Sequence, residues 1–227
     1  MSDMPWRSLR AASKAVVRRQ LDLRVEGFDH VPRSGPVIIA ARHFHHLFDG
    51  CAMLATIPRP VHILVGLDWV RSAPAKMAME RACRAAGWPV VLRRDGAAPV
   101  DNLDAARALR RAMTDTIALL NDGRVVLVFP EGYPNIDPGF TPKPDDSAFL
   151  PFQPGAVRLA TLAAAKGIRV PIVPAGFAYE RGERWRVTLR FGEPLAVERR
   201  DQEPTALAAL EARVRALSAP DGCHHTV

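Results

Sequence analysis

The hydrophobic pattern divides the chain into short, wholly apolar runs that alternate with longer stretches of helical periodicity. Residues 37–41, Val-Ile-Ile-Ala-Ala, form an unbroken apolar run after a turn-rich passage over 28–36, which predicts a strand buried on both faces. Similar runs predict strands over 62–67, 90–92, 124–129, 170–176 and 185–191. Between them, apolar residues recur three and four apart and predict helices over 48–56, 74–86, 103–120, 155–166 and 203–217. Asn121-Asp122-Gly123 supplies a left-handed stop for the third of these helices. Arg181-Gly182-Glu183 joins the last two strands. Uniformly apolar strands alternating with helices predict an α/β fold: a mainly parallel central sheet flanked by helices on both faces.

The first residues follow a different pattern. Trp6, Leu9, Ala12, Val16, Val17 and Leu21 recur at helical spacing and predict an N-terminal amphipathic helix. The same stretch, 1–24, holds six basic side chains (Arg7, Arg10, Lys14, Arg18, Arg19 and Arg24) against Asp3 and Asp22, so it carries +4 of the formal net charge of +7. With an isoelectric point of about 10.0, the surface attracts polyanions: nucleic acid, anionic lipid or a phosphorylated coenzyme. A basic amphipathic helix with an interfacial Trp suits in-plane membrane contact, and the competing reading is a helix packed on the domain with its charged face in water. The absence of a recognised nucleic-acid module argues against nucleic acid.

These patterns divide the chain into the basic helix (1–26), a main domain (27–200) and a closing helix with its tail (201–227). No apolar run approaches the ~20 residues that span a bilayer, and the N-terminus lacks a signal-peptide core. Cys51, Cys83 and Cys223 are odd in number and widely spaced. The expectation is a reduced, cytoplasmic protein, peripheral on the inner membrane surface.

Parallel sheets place their sites at the carboxyl ends of strands. The run 37–41 leads directly into Arg42-His43-Phe44-His45-His46-Leu47-Phe48-Asp49-Gly50, which holds three of the seven histidines within four residues. Histidine is the natural general base near neutral pH, and a carboxylate partner sets its tautomer and basicity. Two rivals are a metal site, since His-x-His patterns bind metals, and histidines that merely cap a helix. His30, His62, His224 and His225 offer no obvious second ligand set, so no metal is expected. The run 124–129 delivers Pro130-Glu131-Gly132 to the same sheet edge, which alone is an ordinary turn. Six prolines over 130–151 then predict a long ordered loop. No Gly-x-Ser-x-Gly occurs, which argues against an α/β-hydrolase.

In combination these pieces say more. An apolar strand ending in His…Asp, a second ending in Phe129-Pro130-Glu131-Gly132, Phe152-Gln153-Pro154-Gly155 opening a helix, Val170-Pro171-Ile172-Val173-Pro174, and Gly192-Glu193-Pro194-Leu195 occur in order. This set resembles the glycerolipid (1-acylglycerol-3-phosphate or lysophospholipid) acyltransferase family from about Gly27 to Leu195. The resemblance implies direct transfer of a fatty-acyl group from acyl-CoA or acyl-carrier protein, as co-substrate, to the hydroxyl of a lipid alcohol. No further cofactor is implied.

In that family a His and an Asp with four residues between them form the catalytic pair. Here five separate His43 from Asp49, three separate His45 and two separate His46, while the position leaving four is Phe44. The context of strand, one polar residue, then His favours His43 as base, and His46 would face Asp49 if a helix had already begun there. Gly87–Arg94 resembles the family segment whose Arg binds the acceptor's phosphate, with Arg93 or Arg94 available. The family's Glu-Gly usually continues into Thr-Arg-Ser, but Glu131-Gly132 is followed by Tyr133-Pro134-Asn135. The missing Arg leaves room for a different lipid alcohol, with Glu131, Gly132 and Tyr133 expected at the acceptor.

Overall fold

The computed structural model describes residues 4–67, 70, 72–91, 102–136 and 147–220. Among the described residues eight strands are formed: β1 (Leu21–Glu26), β2 (Val37–Ala41), β3 (Val61–Ile63), β4 (Val65–Gly66), β5 (Val90–Val91), β6 (Val125–Val128), β7 (Ile172–Glu180) and β8 (Trp185–Phe191). Six make the central sheet in the order β1-β8-β7-β2-β6-β3, and β4 and β5 pair separately. Every pairing is parallel except that of β7 with β8, which a short turn connects.

Strands that are apolar throughout need cover on both faces. In β2, Val37, Ile39 and Ala41 enter one core, with residues of α2 (Phe48–Thr56) and, at its margin, Trp6, Val16 and Val17 of α1 (Met4–Gln20). Ile38 and Ala40 enter the other, against α4 (Asn102–Asn121), α5 (Gly155–Ala164) and α6 (Glu203–Leu217). All five are fully buried, and each large aliphatic side chain contributes on the order of 1.5–3 kcal/mol. The remaining helix, α3 (Ala73–Ala86), links the two short strands of the second sheet.

The predicted α/β architecture is therefore observed, and 37–41, 48–56, 185–191 and 203–217 have their expected limits. Four expectations change. Leu21, predicted on the N-terminal helix, instead opens β1, and 21–26 becomes an edge strand beside β8, with Leu21 and Leu23 turned toward the core. The predicted strand 62–67 breaks at Leu64, where the chain passes from one sheet to the other. Leu64 N–H donates to Leu127 O (2.9 Å) and Val65 N–H to Pro89 O (2.9 Å). The strand predicted over 170–176 starts at Ile172 and runs on to Glu180, because β8 pairs with it to the end (Tyr179 with Val187, Glu180 with Arg186). The helix predicted over 155–166 ends at Ala164.

Trp6, Val16 and Val17 of α1 pack against the core, while Ala12, expected on the same apolar side, lies exposed with Arg7, Lys14, Arg18 and Arg19. Among the described residues no helix is long and apolar enough to cross a membrane.

Candidate active site

Neighbouring strands β7, β2 and β6 are mutually parallel, so their carboxyl ends reach the same edge of the sheet. Beyond β2 comes the turn that holds His43, and α2 then begins with Phe48 and Asp49. Beyond β6 comes Glu131. β7 outruns β2 by several residues, because Ala41 of β2 is already opposite Ala175.

His43 Nδ1 lies 3.1 Å from Asp49 Oδ2, and Asp49 is fully buried. A carboxylate accepts, so Nδ1 carries the proton and Nε2 is the ring nitrogen left to receive one. Phe129 stacks on the imidazole at 4.3 Å between centroids and 21° between planes, which limits its rotation. The Asp49 carboxylate accepts two more hydrogen bonds, from His45 N–H at Oδ2 (2.9 Å) and from the Tyr179 hydroxyl at Oδ1 (2.6 Å). Within the five-residue spacing, His45 is itself tied to Asp49, its N–H donating to Oδ2 and its carbonyl accepting from Asp49 N–H.

His45 takes a different part. Its Nδ1 accepts from Leu47 N–H (3.2 Å) and Phe48 N–H (3.3 Å), satisfying donors at the start of α2. Its ring stacks on Phe48 at 3.9 Å. Burial, followed by neighbouring His46, lowers its pKa, which keeps the accepting lone pair available. His46 stacks on His45 at 4.6 Å and lines the adjoining cavity. The alternative in which His46 faces Asp49 across a helical turn is not formed, because the helix begins only at Phe48. Among the described residues no group of three or more His, Cys, Asp or Glu is arranged to hold a metal ion.

Glu131 is 3% exposed, and the chain's own donors take up its carboxylate. Oε1 accepts from His43 N–H (2.9 Å), and Oε2 accepts from Asn135 Nδ2 (2.6 Å) and Leu150 N–H (2.9 Å). Asn135 also donates to His43 O through its backbone N–H (2.9 Å) and its side chain (3.0 Å). The turn that permits this uses Gly132, which has a φ of 79° that a β-carbon would strain, and whose N–H reaches back to Phe129 O. Buried Arg42 donates to Phe177 O (3.0 Å) and Ala148 O (3.1 Å), with its guanidinium over the Phe149 ring at 4.2 Å. Desolvation lowers its pKa, opposed by the negative charges of Glu131 and Asp49. Arg42, Asp49 and Glu131 thus leave a net charge of −1 beside His43, which a proton on its ring would neutralise.

His43 and His46 open on a cavity of about 1060 Å³. Its described walls are mainly apolar, with Ile63, Val65, Met79, Trp88 and Leu109 among them, and α5 starts on its wall at Gly155. Glu131, Gly132 and Tyr133 also line it, with Tyr133 itself buried. Arg93 and Arg94 lie outside the described residues. Arg110 of α4, exposed at the cavity, is the one Arg or Lys among the described lining residues.

Sequence reasoning did not single out Tyr179, Asn135 or Arg110. Tyr179 and Arg110 lie 130 and 61 positions from Asp49, and no local pattern marks them. Asn135 follows Glu131 by four, a spacing that hinted at a closed turn.

Fold and site together define an α/β enzyme domain with a His–Asp pair at the carboxyl edge of its sheet. Residues 22–178, well over half of the chain, match the acyltransferase family profile, and the protein belongs to that family: it is an acyltransferase. In fold it is similar to the crystal structure of the 1-acyl-sn-glycerophosphate (LPA) acyltransferase PlsC from Thermotoga maritima, with a TM-score of 0.63 and 19% identity. That match covers 93% of this chain and 78% of the other. No curated protein matches the chain in sequence.

Proposed function

We propose that the protein transfers a fatty-acyl group from a thioester, carried by coenzyme A or acyl-carrier protein, to the hydroxyl of a lysophospholipid or related lipid alcohol. The observation that carries this reading is the His43–Asp49 pair at 3.1 Å opening on a large, mainly apolar cavity. A volume of about 1060 Å³ stands at the top of the roughly 300–1,000 Å³ usual for ligand sites, as a long acyl chain requires. His43 Nε2 takes the proton of the acceptor hydroxyl as its oxygen attacks the thioester carbonyl. The tetrahedral intermediate collapses with cleavage of the C–S bond, and the imidazolium returns the proton to the departing thiolate. Asp49 holds the ring's tautomer and balances its positive charge, and because the acceptor oxygen itself attacks the carbonyl, no acyl-enzyme is formed.

A phosphorylated acceptor needs a cation. Pro134 stands where the family pattern has Arg, and Arg110, which lines the same cavity, offers a replacement, as do Arg93 and Arg94 by their place in the sequence. Arg110→Ala is expected to raise KM for a lysophospholipid roughly two- to fivefold with kcat unchanged, the range for an exposed charge pair. An unchanged KM removes Arg110 from the acceptor site. The exposed Arg7, Lys14, Arg18 and Arg19 of α1 support peripheral contact with an anionic membrane by charge, since the helix's Trp6, Val16 and Val17 are already engaged.

The test is thiol release from long-chain acyl-CoA and acyl-carrier protein with a panel of lysophospholipids, on vesicles with and without anionic lipid. Acceptor-dependent release is expected, with binding to anionic vesicles alone. No release with any donor and acceptor would sink the reading, and equal binding to neutral vesicles would remove the role of α1.

A further inference from the structure

Tyr179 is the one residue outside the His43–Asp49 turn that bonds to the Asp49 carboxylate among the described contacts. Its hydroxyl reaches Oδ1 at 2.6 Å, the shortest of the three bonds Asp49 accepts. The ring is clamped by Phe44, stacked at 4.5 Å and 24°, and by Trp185, edge-on at 5.7 Å and 83°. Its place depends on the overhang of β7 past β2, which pairing with β8 sustains.

We infer that Tyr179 is a positioning residue for the proton transfer: its O–H holds Asp49 Oδ1 so that Oδ2 is presented to His43, and it tempers the charge that Asp49 exerts on the imidazole. The inference rests on the acyltransferase reading of this site. Two features make the contact durable. Burial, then the adjacent Asp49 charge, push the phenol far above its ordinary pKa, so it stays protonated and remains a donor at every working pH. The clamp of Phe44 and Trp185 leaves the ring little freedom to turn away. Without the hydroxyl, Asp49 Oδ1 is buried without that donor, its charge acts undiluted on His43, and only the two bonds at Oδ2 are left to orient the carboxylate.

The other charged or titratable groups around the pair are Arg42 before the turn, His45 and His46 within it, Cys51 on α2, Glu131 beyond β6 and, behind Arg42, Arg215 of α6. Among the described contacts, the hydrogen bond at Asp49 Oδ1 comes from Tyr179 and from none of these groups.

Tyr179→Phe keeps the ring and removes the donor, while Tyr179→Leu also removes the stacked ring. The Phe variant is expected to lower kcat/KM about tenfold with KM for donor and acceptor unchanged, and to move the acid limb of the pH profile upward by about half a unit or more. The sign follows because a less tempered Asp49 charge favours protonated His43, and the base works only when neutral. An NMR titration of the His43 ring in the protein without substrates reads the same coupling apart from turnover. Its midpoint should rise in the Phe variant. A His43 midpoint unchanged by Tyr179→Phe, or a rate lost only in Tyr179→Leu, would show that Tyr179 acts through packing and overturn the inference. If wild type shows no turnover while the midpoint still moves, the coupling stands and the acyltransfer reading of the site fails.

Discussion

Substituting Ala for His43 is expected to lower turnover by about 10²–10⁴-fold, the range for a lost general base, while the protein stays folded. The ring is only 15% exposed, yet its side-chain partners are Asp49 on one edge and the Phe129 face, and its backbone contacts to Glu131 and Asn135 persist in any substitution. The fold should therefore survive where the chemistry does not. Asp49→Asn should cost a comparable factor and some stability, because the buried amide cannot accept from His43, His45 and Tyr179 together. One donor is left facing the new NH₂ group, at a cost of roughly 1–3 kcal/mol. By contrast, His46→Ala should retain most of the turnover, since His46 makes no contact with Asp49. Steady-state thiol release with matched circular-dichroism melts checks all three. A His46→Ala loss equal to that of His43→Ala would transfer the base to His46.

Glu131→Ala is expected to be the most destabilising change at the site, by about 3–5 kcal/mol, the usual result of stripping a buried charge of its partner. Three buried donors (His43 N–H, Asn135 Nδ2 and Leu150 N–H) lose their acceptor at once, and buried Arg42 loses its foremost counter-charge. Glu131→Gln preserves the shape but turns an NH₂ toward one of those donors, for roughly 1–3 kcal/mol. The kinetics of the Gln variant separate two roles. If Glu131 works by fixing the backbone of His43, kcat falls and KM for the acceptor is unchanged. A raised KM with kcat intact would place the carboxylate in contact with acceptor. Urea unfolding and acceptor saturation curves together provide both readouts.

Much of this protein is determined locally, and the sequence alone discloses it. The runs 37–41 and 125–128 are apolar at every position because both of their faces are covered, and that reads as a parallel, buried strand before any pairing is known. His43, Asp49 and Glu131 follow such strands directly, so the carboxyl-edge rule brings them together with no coordinates. Which histidine meets Asp49 was not decided by spacing, because that depends on where α2 starts. The first helical turn opens at Phe48, His45 is used to cap it, and only His43 is left with its ring against the carboxylate. Tertiary pairing decided the rest. Residues 21–26 alternate apolar and polar (Leu-Asp-Leu-Arg-Val-Glu), the pattern of a half-buried strand, but Leu21 also continues the helical spacing of α1, and only the pairing with β8 shows where helix gives way to strand. Tyr179 reaches Asp49 because the local β7–β8 hairpin carries β7 past the end of β2, and β7 lies beside β2 only through a pairing of residues more than a hundred positions apart, which no local pattern records.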